Sequence, residues 1–126
     1  MKSKIQILAV FLLGIATVFT SCSTDEEIVP IPTTGGLVIK VQLDGSTGFM
    51  SGALVGIATS QNNLDNSVYL QDLETDANGQ ADFGQLNPGD YYYDCFLEIG
   101  SDEYYGESQV QIVAGTDLEL TLILEQ

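Results

Sequence analysis

Thr75-Asp76-Ala77-Asn78-Gly79-Gln80-Ala81-Asp82-Phe83-Gly84-Gln85-Leu86-Asn87-Pro88-Gly89-Asp90-Tyr91 is the stretch that decides the fold. Its first five residues read as a tight turn, because Asn-Gly accepts positive φ at little cost. Gln80 to Leu86 reads as a short strand centred on Phe83, whose ring is expected to plug a core. Pro88-Gly89 then reverses the chain, a preset φ followed by a permissive residue. Tyr91 opens the next strand. Its ring can tuck inward and return its hydroxyl to backbone, as in a tyrosine corner.

On either side of this stretch, apolar residues recur with period two. Leu37, Ile39, Val41 and Leu43 alternate with Val38, Lys40 and Gln42, which predicts a strand with one buried face. Asp44 to Gly48 is a turn cluster, and Ala53, Val55 and Ile57 mark a second strand. Gln61 to Ser67 reads as a polar, Asn-rich loop, and Val68, Leu70 and Asp72 or Leu73 as a third strand of open register. From Tyr91 to Ile99 one face carries Tyr91, Tyr93, Cys95, Leu97 and Ile99, predicted to be core, and the other Tyr92, Asp94, Phe96 and Glu98. Glu103 to Val113 and Asp117 to Glu125 complete the set, with Leu118, Leu120, Leu122 and Leu124 pointing inward. The 92 residues from Gly35 to Gln126 suffice for one small domain with a single core. Seven short strands and no sustained helical period beyond the N-terminal segment predict an all-β, seven-stranded antiparallel Greek-key sandwich.

The Thr75–Tyr91 segment resembles the signature of carboxypeptidase regulatory-like and Cna protein B-type domains: a Thr-Asp-x-x-Gly turn, a Phe strand, then Leu-x-Pro-Gly-x-Tyr. Leu43-Asp44-Gly45, Gly52-Ala53-Leu54-Val55 and the closing strand extend the resemblance over nearly all of 35–126. It implies a prealbumin or transthyretin-like (Ig-like) sandwich and a non-catalytic module. Some Cna B-type domains crosslink a Lys of the first strand to an Asn of the last. Here Lys40 alternates onto the face opposite the core and Asp117–Gln126 contains no Asn, so no crosslink is expected.

The N-terminus carries a different message. Lys2 and Lys4 precede an apolar run from Ile5 to Phe19, and small residues Thr20 and Ser21 precede Cys22. This is the build of a secretory signal peptide, too short for a comfortable membrane span. The cysteine directly after the cleavage site resembles the lipobox of a bacterial lipoprotein, with Phe19 in place of the usual leucine. The resemblance implies that Cys22 is lipidated and becomes the new N-terminus. The alternatives are an ordinary signal peptide with an incidental Cys, or an uncleaved anchor. Asp25-Glu26-Glu27 behind Cys22 resembles the export signal of Bacteroidetes surface lipoproteins, which implies an outer-membrane, cell-surface location. A tether on the periplasmic face is the alternative. The expected organisation is therefore a signal peptide over 1–21, an acidic then Pro/Thr-rich tether over 22–34, and the sandwich over 35–126.

Beyond Cys22 one lysine stands against 18 acids, a formal charge of −17, and the chain has no histidine or arginine. Such a surface repels nucleic acid, whose binding relies on Lys and Arg neutralising phosphates. Without His, neither a Ser-His-Asp nor a Cys-His constellation can form, and a zinc site would lack its usual ligands. With Cys22 lipidated, Cys95 has no partner and reads as a small buried hydrophobe. Asp76, Asn78 and Asp82 offer oxygen ligands for calcium, but no complete EF-type loop exists and a turn explains them. A small carboxylate-based hydrolase is the one enzyme class the acids leave open, and their scatter along the chain argues against it. The expectation is no catalysis and no cofactor, but a membrane-tethered module for a protein or glycan partner. Tyr92, Phe96, Tyr104 and Tyr105 are candidate stacking aromatics, unless they only cover a second layer or sit at strand ends.

Overall fold

The computed structural model describes residues 30–126. The expected signal peptide, Cys22 and the acidic part of the tether lie outside the described residues. Pro32–Gln126 folds as one unit. Its elements are β1 (Gly35–Leu43), β2 (Leu54–Ala58), α1 (Gln61–Asp65), β3 (Gln71–Glu74), β4 (Gln80–Leu86), β5 (Gly89–Ile99), β6 (Asp102–Ile112) and β7 (Asp117–Leu124). Two sheets form, ordered β4-β1-β7 and β3-β2-β5-β6, with the non-consecutive neighbours of a Greek-key sandwich. The antiparallel expectation holds at every strand pairing but one: β1 and β7 run parallel from Gly36–Asp117 to Leu43–Leu124. Among the described residues no helix is long and apolar enough to cross a membrane.

The alternating apolar sets meet between the sheets. Leu37, Ile39, Val41, Val55, Ile57, Phe83, Tyr91, Tyr93, Cys95, Leu97, Leu122 and Leu124 are buried, and Leu43, Leu118 and Leu120 pack partly against them. Each fully buried aliphatic side chain contributes about 1.5–3 kcal/mol. Ile99 departs from the sequence reading: it is exposed at the end of β5, beyond the reach of the facing sheet.

The turn motif is explained by its hydrogen bonds. The Thr75 hydroxyl donates to the Met50 carbonyl (2.6 Å) and accepts from the Ala53 amide (3.0 Å), so it joins the start of β2 to the end of β3. One Asp76 carboxylate oxygen accepts from the amides of Asn78 (2.8 Å) and Gln80 (3.0 Å). The Tyr91 hydroxyl donates to the Asn87 carbonyl at 2.7 Å, the tyrosine-corner bond the sequence predicts. Along β4 the period breaks. The β1 register skips Phe83 between Gly84 and Asp82, a bulge that sends Phe83 and Leu86, rather than Gln85, into the core.

The predicted loop at Gln61–Ser67 is instead the one-turn helix α1. Ser60 is its N-cap, extended in backbone, and its hydroxyl accepts from the Asn63 amide at 3.1 Å. Leu64, the only apolar residue of the segment, is turned inward and buried. The third strand is also shorter than read. Val68 and Leu70 are exposed and precede β3, because the chain leaves α1 through Ser67 in a left-handed conformation (φ 57°) before Leu70 bonds Ile57.

Candidate functional site

The outward side chains of the β3-β2-β5-β6 sheet fall into rows fixed by strand register. One row aligns Asp72, Gly56, Asp94 and Glu107, and the next aligns Glu74, Leu54, Phe96 and Tyr105. Tyr105 directs both its backbone groups away from β5: its amide donates to the Glu125 carbonyl (2.8 Å) and its carbonyl accepts from the Glu125 amide (2.9 Å). The Phe96–Tyr105 pair is therefore non-hydrogen-bonded, and so is Asp94–Glu107 two residues along. Pairs of this kind bring opposing side chains closest, with Cα atoms about 4.5 Å apart.

Gly56 leaves a gap in the acidic row, and Tyr69 fills it. A Cβ on Gly56 would lie 2.4 Å from Cε1 of the Tyr69 ring. From this position the Tyr69 hydroxyl faces both oxygens of Asp94, at 3.0 and 3.2 Å. Leu64 of α1, which is not part of the inter-sheet core, closes the site from above. The result is a cleft of about 310 Å³ bounded by Leu54, Leu64, Tyr69, Asp94, Phe96 and Tyr105. Asp94 at its floor is 9% exposed, whereas Phe96 and Tyr105 on its wall are 42% and 48% exposed. The Tyr105 hydroxyl is held by Glu107 at 2.6 Å, which fixes that ring.

Burial pushes the Asp94 carboxyl above the usual carboxylate range. The Tyr69 hydrogen bond opposes the rise, and the Glu107 charge adds to it. Burial likewise raises the Tyr69 hydroxyl, with the Asp94 charge contributing. Burial, then the hydrogen bond to Glu107, raises Tyr105, so both phenols stay protonated donors at neutral pH. Because the folded-state pKa of Asp94 lies above its unfolded value, the protonated acid favours folding. That contribution is complete below the unfolded value, about pH 3.9, and is lost as pH rises through the folded value. Asp94→Asn keeps an acceptor for Tyr69. It is expected to melt above the parent at neutral pH, with the gap closing toward pH 4 in paired thermal melts. A gap independent of pH would sink this account of Asp94.

The other sequence candidates separate from this cleft. Phe96 and Tyr105 come together as aromatic wall. Tyr104, read as a possible platform residue, turns toward the core instead, since adjacent strand residues face opposite ways. Tyr92 lies on the outer face, one row beyond Asp94, half-buried. Lys40 pairs with Glu119 at 3.4 Å and lies 5.1 Å over the Phe49 ring, on the other sheet. Asp76 and Asp82 are occupied by backbone amides, Asp82 by that of Gly84 at 2.8 Å. Cys95 is fully buried and burial pushes its thiol up to about 12, so it remains an inert thiol. Asp94 and Tyr69 were not singled out from the sequence. The signal for Asp94 was a lone acid inside the run Tyr91-Tyr92-Tyr93-Asp94-Cys95-Phe96; Tyr69 gave none.

No family model matches the chain, and no curated protein matches it. Solved structures do. The Bacillus anthracis TIE protein aligns at 18% identity and a TM-score of 0.54, over 75% of this chain and 17% of that one. PA1324 of Pseudomonas aeruginosa, a proposed carbohydrate binding protein, aligns at 12% identity and 0.53, over 75% and 90%. GBS52, the minor pilin of Streptococcus agalactiae, aligns at 20% identity and 0.53, over 76% and 46%. This chain thus spans only part of the TIE protein and of the pilin. At these identities the likeness is one of fold, an all-β sandwich shared by binding and structural proteins.

Proposed function

We propose that this chain is a membrane-anchored, surface-facing lipoprotein whose sandwich is a non-catalytic module that binds a partner through the outer face of β3-β2-β5-β6. The observation that carries the binding reading is the cleft, a buried carboxylate beside two half-exposed aromatic rings on an otherwise acidic sheet. The Cna protein B-type and carboxypeptidase regulatory-like resemblance supports the same reading, since those modules bind or support rather than transform. Anchoring rests on Lys2, Lys4, the apolar run to Phe19 and the Thr20-Ser21-Cys22 junction. Two or three acyl chains on Cys22 would hold the module at the membrane far more durably than one.

In cells fed radiolabelled palmitate, label is expected in the parent protein and not in Cys22→Ser, which should also leave the membrane fraction. Label retained by Cys22→Ser would end the lipidation proposal. Protease treatment of intact cells separates the surface from the periplasmic face. A second reading, carbohydrate binding, is favoured by the adjacent rings of Phe96 and Tyr105, which suit the apolar face of a sugar, and by the fold shared with PA1324. A glycan array with Phe96→Ala as the control distinguishes it.

A further inference from the structure

We infer that the cleft over β2 and β5 receives a cationic side chain, arginine or lysine, presented by a protein partner, with the cation at Asp94 and its stem along Phe96 and Tyr105. The inference rests on the outer sheet face being the binding face, and it adds the charge and class of what binds there.

Asp94 carries the argument. An ionised carboxylate has about four acceptor positions. Tyr69 brings a single hydroxyl proton to both oxygens, and no other donor among the described residues reaches them. A buried charge held by one neutral donor is costly to maintain unless a counter-charge arrives. The protein does not supply one. Lys40 is the only cationic side chain among the described residues, and it is committed to Glu119 on the other sheet.

The surroundings select for positive charge. Glu107 faces Asp94 across the β5–β6 ladder, Asp72 lies in the same row across Gly56, and Asp65 of α1 borders the cleft. Carboxylates gathered around a half-enclosed site raise the local concentration of cations. Among the described residues no three of them converge as metal ligands would, which favours an organic cation over a divalent ion. A neutral sugar could donate hydroxyl protons to Asp94 but would bring it no counter-charge, and the phenols lining the cleft already donate to Asp94 and Glu107. The close pair Phe96–Tyr105 completes the chemistry, since aromatic faces accept a guanidinium or an alkyl stem. A cleft of about 310 Å³ suits one side chain, and β3 beside it is an edge strand along which a partner's extended segment can lie.

The test is isothermal titration of the full chain in detergent with three capped tripeptides, Gly-Arg-Gly, Gly-Lys-Gly and the citrulline analogue, a neutral isostere of the first. The two cationic peptides are expected to bind at least about tenfold more tightly than the citrulline one, the value of a charge-assisted contact. Asp94→Asn should erase that difference and Phe96→Ala should weaken both cationic peptides, whereas Glu119→Gln on the far sheet should change neither. Equal binding of citrulline, or a preference that survives Asp94→Asn, overturns the inference. If the cationic peptides fail while a glycan binds and is lost on Phe96→Ala, the binding face stands and the cationic ligand falls. If neither class binds, both fall.

Discussion

Leu124→Asp is expected to abolish the cooperative melt of the sandwich. Leu124 is fully buried at the end of β7, opposite Leu43 in the β1 register and against Gly106 of β6, beside the Tyr105–Glu125 bridge that links the two sheets. Its carbonyl also accepts the Asp44 amide at 2.9 Å, which closes the end of β1. Truncating a buried leucine to alanine costs about 2–5 kcal/mol, and an unpaired buried carboxylate adds several more. At about 0.05–0.15 kcal/mol per residue, a unit of this size holds roughly 5–14 kcal/mol in all. Calorimetry should therefore show no transition, while Leu124→Met should cost less than about 1.5 kcal/mol. Leu120, on the same face but only half-buried, should respond less to the same charge. A cooperative melt of Leu124→Asp near the parental temperature would contradict the packing described for β7.

Gly79→Ala is expected to lower stability at least twice as much as Gly45→Ala. Both glycines have left-handed backbones, φ 76° and 81°. For an L-residue that conformation costs about 1–2 kcal/mol, and at Gly45 a new Cβ would meet nothing within 4 Å. At Gly79 it would lie 2.4 Å from Phe49 Cβ and 2.9 Å from the Met50 amide nitrogen and the Phe49 carbonyl carbon, atoms fixed in or directly on the main chain that cannot swing aside. The Gly79 carbonyl meanwhile accepts the Val41 amide at 3.0 Å, so relief would loosen the middle of β1. Each kcal/mol corresponds to about 4–8 °C in a domain of this size, so parallel melts resolve the difference. Equal losses at the two positions would show that Phe49 does not press on the turn.

Much of this architecture is written locally. Period-two runs such as Leu37-Ile39-Val41 announce strands because a strand half-buried by one neighbour must alternate. The Thr75–Tyr91 motif announces its turns because each special backbone site needs its own residue type. What escaped was non-local or too short to repeat. One helical turn at Gln61–Asp65 offers no period, only the Ser60 cap and a single Leu64. The parallel β1–β7 pairing depends on which strands meet, which alternation cannot encode. The β4 bulge was hidden because skipping Phe83 changes the face of Leu86 without any break in composition. The site suffered in the same way. Phe96 was legible as an outward aromatic. Tyr69, in a connection after a strained Ser67, reaches Asp94 only through the three-dimensional path of α1 over the gap left by Gly56. Tyr104 and Tyr105 looked equivalent in sequence, yet strand geometry sends one to the interior and the other to the cleft.

The side-by-side course of the first and last strands has a mechanical consequence. Eight register pairs join β1 to β7, running from Gly36–Asp117 to Leu43–Leu124. Tension applied between the start of β1 and the end of β7 would pull these neighbours lengthwise past each other. Their cross-links would then be strained together rather than opened one after another, so a module held at its leading end would resist a tug on its trailing end far better than a peeling geometry would allow.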